Sequence, residues 1–367
     1  MSYKFSSICM KVITIAVLLL FFQPLQAQYN WGELDRELSA KKQLLGNNVV
    51  VLVWKNDSLI YKKEMGGFNS STRAPIASCS KWLTAALVLQ FSDEGRLSLE
   101  DKVAKYIPAF NKASKKAITI RECLSHMTGI TDDDKFMRRI LQRRKFASLK
   151  EEVNDFAGRD NRAAPGTDFW YGNVGLNIAG RILEIISQQD FETLAQAKLL
   201  GPLEMTHTTF LSASDKSPVN PSGGAQSTAD DYMKFLVMLL NNGKYKGKQV
   251  LSENAITQMR QVQDSFGQIR YAPKAAEGYT YALGSWVIEK RTDTIVSPHS
   301  RPPEIVINTA TSLACPGLFG TWPMIDFCRG YAYIVFVKNL LGKERAHVHE
   351  AIKKIIDKQI KTSCSNN

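Results

Sequence analysis

Histidine and cysteine are sparse in this 367-residue sequence, five and six residues respectively. No Cys-x-x-Cys pair and no His-Glu-x-x-His motif occurs. His347 and His349 stand two apart in a helical pattern, which turns them to different faces. These absences argue against a structural or catalytic zinc, and no other cofactor signature is present. After Cys9 come Cys79, Cys123, Cys315, Cys328 and Cys364, an odd number at irregular spacing that does not read as a disulfide framework. Past residue 22 no segment approaches 18 consecutive apolar residues, so no stable transmembrane anchor is expected. A Gly-x-Ser-x-Gly elbow is missing too, which leaves an α/β-hydrolase triad without its nucleophile. No basic groove interleaved with aromatics and no nucleic-acid motif occurs, so nucleic acid is not an expected partner. Internal repeats and low-complexity linkers are absent as well.

What is present is ordinary for a folded protein: 44% hydrophobic, 10% aromatic and 22% charged residues exclude a disordered or collagen-like chain. A chain of this length can bury a large core without covalent staples. The first 27 residues stand apart. Lys4 and Lys11 accompany an apolar run from Val12 to Phe22, interrupted only by Thr14, and Pro24 leads to Leu25-Gln26-Ala27. This is the layout of a secretory signal peptide cut after Ala27. Its eleven apolar-run residues would span about 16 Å as a helix, half a bilayer, which suits a leader better than an anchor. Cys9 precedes the run and so does not fit a lipid-attachment site. An exported protein, periplasmic or secreted, is the expectation. The formal charge of +12 is spread over pairs such as Lys41-Lys42, Lys62-Lys63 and Lys115-Lys116. One denser run, Arg138-Arg139 with Arg143-Arg144-Lys145, reads as a solvated helix face in preference to a patch for an anionic surface.

Hydrophobic periodicity organises the remainder. Trp31, Leu34, Leu38 and Leu45 recur at helical spacing and stop at Gly46. Val49 to Trp54 is a β-branched run, and Asn56-Asp57 followed by Leu59-Ile60-Tyr61 completes a hairpin pattern. Towards the other end, Tyr279 to Glu289 and Gly330 to Lys338 read as strands, with a third around Leu313 to Ile325. Glu344 to Ile360 carries Val348, Ile352, Ile355, Ile356 and Ile360 on one helical face. Residues 79 to 265 are mostly helical pattern and loop. One sheet must therefore be assembled from N- and C-terminal pieces. The expected organisation is a single domain over 28–367, with an α/β lobe of 28–78 and 270–367 and a helical lobe of 79–269.

Chemistry begins at the first helix of that lobe. Ser78 precedes Lys81 by three residues, and an apolar helical run follows. If Ser78 opens the helix, Lys81 lies one turn on and on the same face. A serine hydroxyl needs a base to take its proton, and a desolvated lysine amine can serve. The helix N-terminus offers its positive dipole end to a developing oxyanion. The tetrapeptide alone carries little, since Ser39 and Lys42 match it on a surface helix. Ser78 without further context would be an N-cap serine beside a surface lysine.

The surrounding residues supply that context. Ala77-Ser78-Cys79-Ser80-Lys81-Trp82-Leu83-Thr84-Ala85 resembles the nucleophile motif of the serine β-lactamase and penicillin-binding-protein superfamily, in particular its class C and carboxypeptidase-like branch. Gly95 to Val103, Leu124-Ser125-His126-Met127-Thr128-Gly129-Ile130, Gly201 to Met205 and Gly223 to Asp231 also resemble segments of that family, in order. Ordered matches over roughly 250 residues are far harder to obtain by chance than one tetrapeptide. The second motif is Tyr171-Gly172-Asn173, the only Tyr-x-Asn in the chain. A phenol beside a lysine ammonium can relay the serine proton to the leaving group and then activate the deacylating water. Asn173 offers a donor and an acceptor to orient Lys81 and a substrate amide. Without Ser78, Tyr171 would read as a buried tyrosine and Asn173 as a turn residue. His126 corresponds to a structural histidine of the family rather than to a base.

The third motif departs from the family pattern. Where a strand is expected to bear Lys-Thr-Gly or His-x-Gly, this chain has Leu313-Ala314-Cys315-Pro316-Gly317-Leu318-Phe319-Gly320-Thr321. Cys315 takes the place of the cation, Gly317 is kept, and Pro316 removes a backbone donor. No Lys or His occurs between His299 and Lys338. The amide of Leu318 is expected to complete an oxyanion hole with that of Ser78. The resemblance implies an α/β fold of the β-lactamase/transpeptidase type: an antiparallel sheet flanked by terminal helices, with the helical lobe inserted. It implies a serine hydrolase acting through an acyl-enzyme on small esters, amides or peptides, with Ser78, Lys81 and Tyr171 catalytic. Asn173, Cys315, Gly317 and Leu318 would contact substrate, and no cofactor or metal is required. The alternatives are a true β-lactamase or D-alanyl-D-alanine carboxypeptidase, and a catalytically inactive envelope binding protein.

Overall fold

The computed structural model describes residues 29–132, 145–212, 218–296, 304–340 and 342–364. The leader and the basic run at 138–144 lie outside the described residues. Asn56 and Asp57 both adopt left-handed backbone, φ 47° and 54°, the conformation a tight two-residue hairpin needs. They join β1 (Val49–Lys55) to β2 (Ser58–Met65). The C-terminal part supplies β3 (Thr280–Tyr281), β4 (Trp286–Val296), β5 (Glu304–Ala314), β6 (Trp322–Asp326) and β7 (Tyr331–Val337). All seven strands pair antiparallel in the order β2-β1-β7-β6-β5-β4-β3. The two ends of the chain meet at β1 and β7, where Val49 faces Val337 and Lys55 faces Tyr331.

The strand pattern around Leu313 to Ile325 resolves into two strands. β5 stops at Ala314, and residues 315–321 turn the chain into β6. Tyr279 to Glu289 is likewise interrupted, between Tyr281 and Trp286. Gly284 in that break has φ +80°, and a Cβ there would lie 2.6 Å from Ala85 Cβ.

Alternation along the central strands sends side chains to two cores. Val50, Leu52, Ala332, Ile334 and Phe336 join the large core with the inserted helices. Val49, Val51, Val53, Tyr333, Val335 and Val337 pack with Leu34 and Leu38, and with Ile352 and Ile356. The former pair lies on α1 (Gly32–Lys41), the latter on the C-terminal helix (Lys343–Gln359). β1 is therefore buried on both faces, which explains its unbroken apolar run. The inserted helices that reach the site are α2 (Ser80–Asp93), α3 (Ile120–Leu124), α4 (Leu149–Gly158), α5 (Val174–Ser187) and α6 (Ala229–Leu240). Every α2 residue from Ser80 to Phe91 is buried, so the helix is enclosed on all sides.

Cys328 and Cys364 form a disulfide between the β6–β7 turn and the segment after the C-terminal helix. The cysteine spacing had argued against such a framework. Thirty-six residues separate the pair in sequence, and only the fold brings the two together. No helix among the described residues is long and apolar enough to cross a membrane.

Candidate active site

Ser78 sits in a one-turn 3-10 segment, Ala77–Cys79, that leads into α2, so the regular helix begins two residues after it. Ala77 is held at φ 46°, a left-handed value that is costly for alanine and persists only where neighbours impose it. The restraints are identifiable. Ser80 Oγ donates to Ala77 O at 2.6 Å and accepts from Ala225 N at 3.0 Å. Ile76 N donates to Ala225 O at 3.0 Å, and Tyr232 Oη on α6 donates to Cys79 O at 2.8 Å. The Ser78 turn is thereby pinned to the 220–225 loop and to α6.

Lys81 lies one helical turn on and is fully buried. Its Nζ stands 3.3 Å from Ser78 Oγ and 3.3 Å from Asn173 Oδ1, and it donates to Ser222 O at 2.6 Å. The Tyr171 ring centroid is 5.1 Å from the same nitrogen. The sequence-predicted trio and Asn173 therefore converge on one amine. A lysine held this way can exchange a proton with the serine hydroxyl, because its remaining hydrogens already have acceptors.

The second motif is fixed from below. Asn173 stands at the N-cap position of α5, and its backbone N–H donates to Asp132 Oδ2 at 3.0 Å. A Cβ on Gly172 would fall 2.4 Å from that same carboxylate oxygen, so any larger residue would push Asp132 away. Arg159 lies 3.5 Å from the other oxygen of Asp132. His126 follows α3 at φ 60°, and its Nε2 is 3.2 Å from Tyr281 Oη. Its ring is 4.6 Å from that of Tyr171 and 5.7 Å from that of Phe169, so it belongs to the aromatic cluster behind Tyr171.

Cys315 follows β5 directly and is buried. Its thiol points back into the protein, donating towards Ser78 O at 3.2 Å and Gly284 O at 3.4 Å. Burial pushes that thiol up to about 12, so it is uncharged at neutral pH. Cys79 is likewise raised by burial and lies beside the third motif, its Sγ 3.6 Å from Thr321 O. Gly317 donates to Thr321 O at 2.8 Å, and a Cβ on it would stand 2.3 Å from Ile76 O. The glycine thus permits the third motif to approach the Ser78 turn. Leu318 stands next in the same turn, half-buried. Among the described residues no group of three or more His, Cys, Asp or Glu side chains could hold a metal ion.

Sequence reasoning missed Ser222 and Asp132. Ser222 acts through its carbonyl, which no side chain advertises, although the Gly223 to Asp231 segment begins one residue later. Asp132 follows the Leu124 to Ile130 box by two residues, and nothing in its identity marks it as the anchor of Asn173.

Comparison with known proteins matches residues 34–356 to the family described as Beta-lactamase. Protein flp of Staphylococcus aureus is 29% identical over 182 residues, covering 46% of this chain and 35% of that protein. The chain therefore spans about a third of the length of the first curated relatives it matches. Among solved structures, a Bacteroides dorei protein described as a "putative beta-lactamase" superposes with a TM-score of 0.74 at 25% identity, over 90% of this chain and 99% of that one. EstCE1, described as a hydrolase with promiscuous acyltransferase activity, gives a TM-score of 0.65 at 15% identity, over 89% of this chain and all of that one. At that identity the second likeness is one of fold.

Proposed function

This chain belongs to the beta-lactamase family of hydrolases, and from that premise we propose that it is an exported serine hydrolase that forms an acyl-enzyme on Ser78. Lys81 takes the Ser78 proton as the hydroxyl attacks a carbonyl. Tyr171 passes a proton to the leaving group and then activates the deacylating water. The amides of Ser78 and Leu318 hold the oxyanion, and Asn173 orients Lys81 and the substrate. The observation that carries this reading is the single buried amine of Lys81 within reach of Ser78 Oγ, Asn173 Oδ1 and Ser222 O. Export is supported by the leader-like N-terminus and by the Cys328–Cys364 disulfide, which persists in oxidising compartments.

The preferred substrate is a small uncharged ester. β-Lactams and D-alanyl peptides present a carboxylate near the scissile amide. A cation opposite that carboxylate contributes about 1.5–3 kcal/mol, roughly ten- to a hundredfold in binding or rate. Cys315, neutral and turned inward, supplies none. Arg291 is engaged with Asp293 at 3.0 Å.

Two measurements test the reading. A fluorophosphonate probe is expected to label Ser78 in the wild-type protein and not in Ser78→Ala. A panel of short-chain aryl esters, a chromogenic cephalosporin and D-alanyl-D-alanine peptides is expected to rank the esters first. Folded wild-type protein that resists labelling would make the chain a binding module. A cephalosporin turned over faster than the esters would make it a β-lactamase with an anion-holding cation elsewhere.

A further inference from the structure

Glu152 is almost completely buried, at 2% exposure, and lies on α4, outside all three motifs. Its Oε2 accepts from Asn177 Nδ2 on α5 at 3.2 Å. Asn177, fully buried, accepts at Oδ1 from Ser222 N at 3.0 Å. Ser222 O is the carbonyl to which Lys81 donates. The same stretch is gripped from the other side, since Thr84 Oγ1 on α2 donates to Pro221 O at 2.7 Å. The peptide joining Pro221 to Ser222 is therefore clamped at its C=O by one helix and at its N–H by another.

We infer that Glu152, through Asn177 and with Thr84 as the opposing clamp, positions the Ser222 carbonyl that orients the Lys81 amine. The direction of the relay follows from donor and acceptor capacity. The Ser222 N–H can only donate, so Asn177 must present Oδ1 to it, which turns Nδ2 to a Glu152 oxygen. Turned the other way, the amide would set donor against donor and oxygen against oxygen. Asn177 also donates its backbone N–H to Asn173 O at 3.1 Å. Asn177 thus bonds to two residues, Ser222 and Asn173, that also accept from Lys81. Glu152 touches neither Ser78 nor the reacting atoms; it acts through others.

The inference rests on the acyl-enzyme reading, and the experiment separates the two. Wild-type, Glu152→Gln, Glu152→Asp and Thr84→Val proteins are checked for folding by thermal melting. Each is then compared for Ser78 labelling rate and for the pH dependence of ester kcat/KM. Glu152→Gln is expected to lower kcat about ten- to a hundredfold with KM within about twofold. Its acid limb is expected to move to lower pH, because loosening the Ser222 carbonyl that accepts from Lys81 disfavours the ammonium. Glu152→Asp is expected to return the limb towards its wild-type position. Thr84→Val, which buries no unpaired charge, is expected to lower kcat a few-fold and to move the limb the same way. Wild-type labelling with folded Glu152→Gln at wild-type rate and an unmoved limb would overturn the inference alone. Should Glu152→Gln not fold, wild-type behaviour of Thr84→Val would do the same. Absence of labelling in the wild type would instead remove the reading beneath it.

Discussion

Lys81 has no exposure to solvent, so its amine depends on the acceptors built around it. Replacing it by methionine keeps an unbranched chain of similar length and removes the base. Labelling of Ser78 by the fluorophosphonate is expected to fall about 10²- to 10⁴-fold, with circular dichroism unchanged. Near-normal labelling by folded Lys81→Met would take Lys81 out of the mechanism. Ser78, Lys81, Tyr171 and Asn173 were legible through the ordered segments that resemble the family, because the Ser-x-x-Lys spacing by itself also fits Ser39 and Lys42 on a surface helix. Ser222, Asp132, Asn177 and Glu152 were not. They come from four separate segments, and their roles are backbone contacts or relays that exist only after those segments pack. Cys315 was legible as a missing cation, but not as a thiol turned inward onto Ser78 O and Gly284 O.

Elements with one dominant signal matched the sequence pattern closely. The β1–β2 hairpin is marked by Asn56-Asp57, and the C-terminal helix by its isoleucine stripe. β5 was invisible over most of its length because Asn308, Thr309, Thr311 and Ser312 interrupt the apolar alternation. Its partners decide it: Thr309 faces Arg291 on β4, and Ser312 faces Asp326 on β6. The β6–β7 turn lies one strand length from the third motif. It carries the disulfide, whose partner Cys364 follows Ser363, bonded through its amide to Cys328 O at 2.7 Å. Cys364→Ser opens a loop of 36 residues in the denatured chain, which corresponds to about 2–4 kcal/mol of lost stability. Ester kcat/KM is expected to stay within about twofold, since the Ser78 turn is bonded to the 220–225 loop and α6. Denaturant unfolding with and without reductant measures the first, and initial rates measure the second. A large loss of turnover in folded Cys364→Ser would tie the C-terminal clasp to the site.

At the scale of the molecule, strands at both ends and helices between them required one sheet built from distant pieces, and that is what β1 against β7 achieves. What the sequence does not reveal at this scale is where closing the structure buries a charge at a cost. Asp264 is one such place. Its Oδ1 accepts from Tyr281 N at 2.7 Å, while Oδ2 is buried without a hydrogen-bond partner. Burial raises the carboxyl from 3.8 to about 6, against the lowering effect of the Tyr281 amide and of Lys290. The folded state therefore binds this proton more tightly than the unfolded chain does. The contribution to stability is fully present below about pH 4 and is lost as pH rises through about 6. A rise from 3.8 to about 6 corresponds to about 3 kcal/mol. Asp264→Asn keeps the acceptor for Tyr281 N and cannot titrate. Its stability relative to the wild type should therefore rise between pH 4 and pH 7, by up to that amount, and then level off. Taking the difference between the two proteins cancels the other titrating groups, including those of the Lys353, Glu289 and Asp357 cluster. A difference that stays flat across that range would mean that Asp264 is already solvated in the folded state. A difference that falls with rising pH would mean that a cation reaches Oδ2 and reverses the sign.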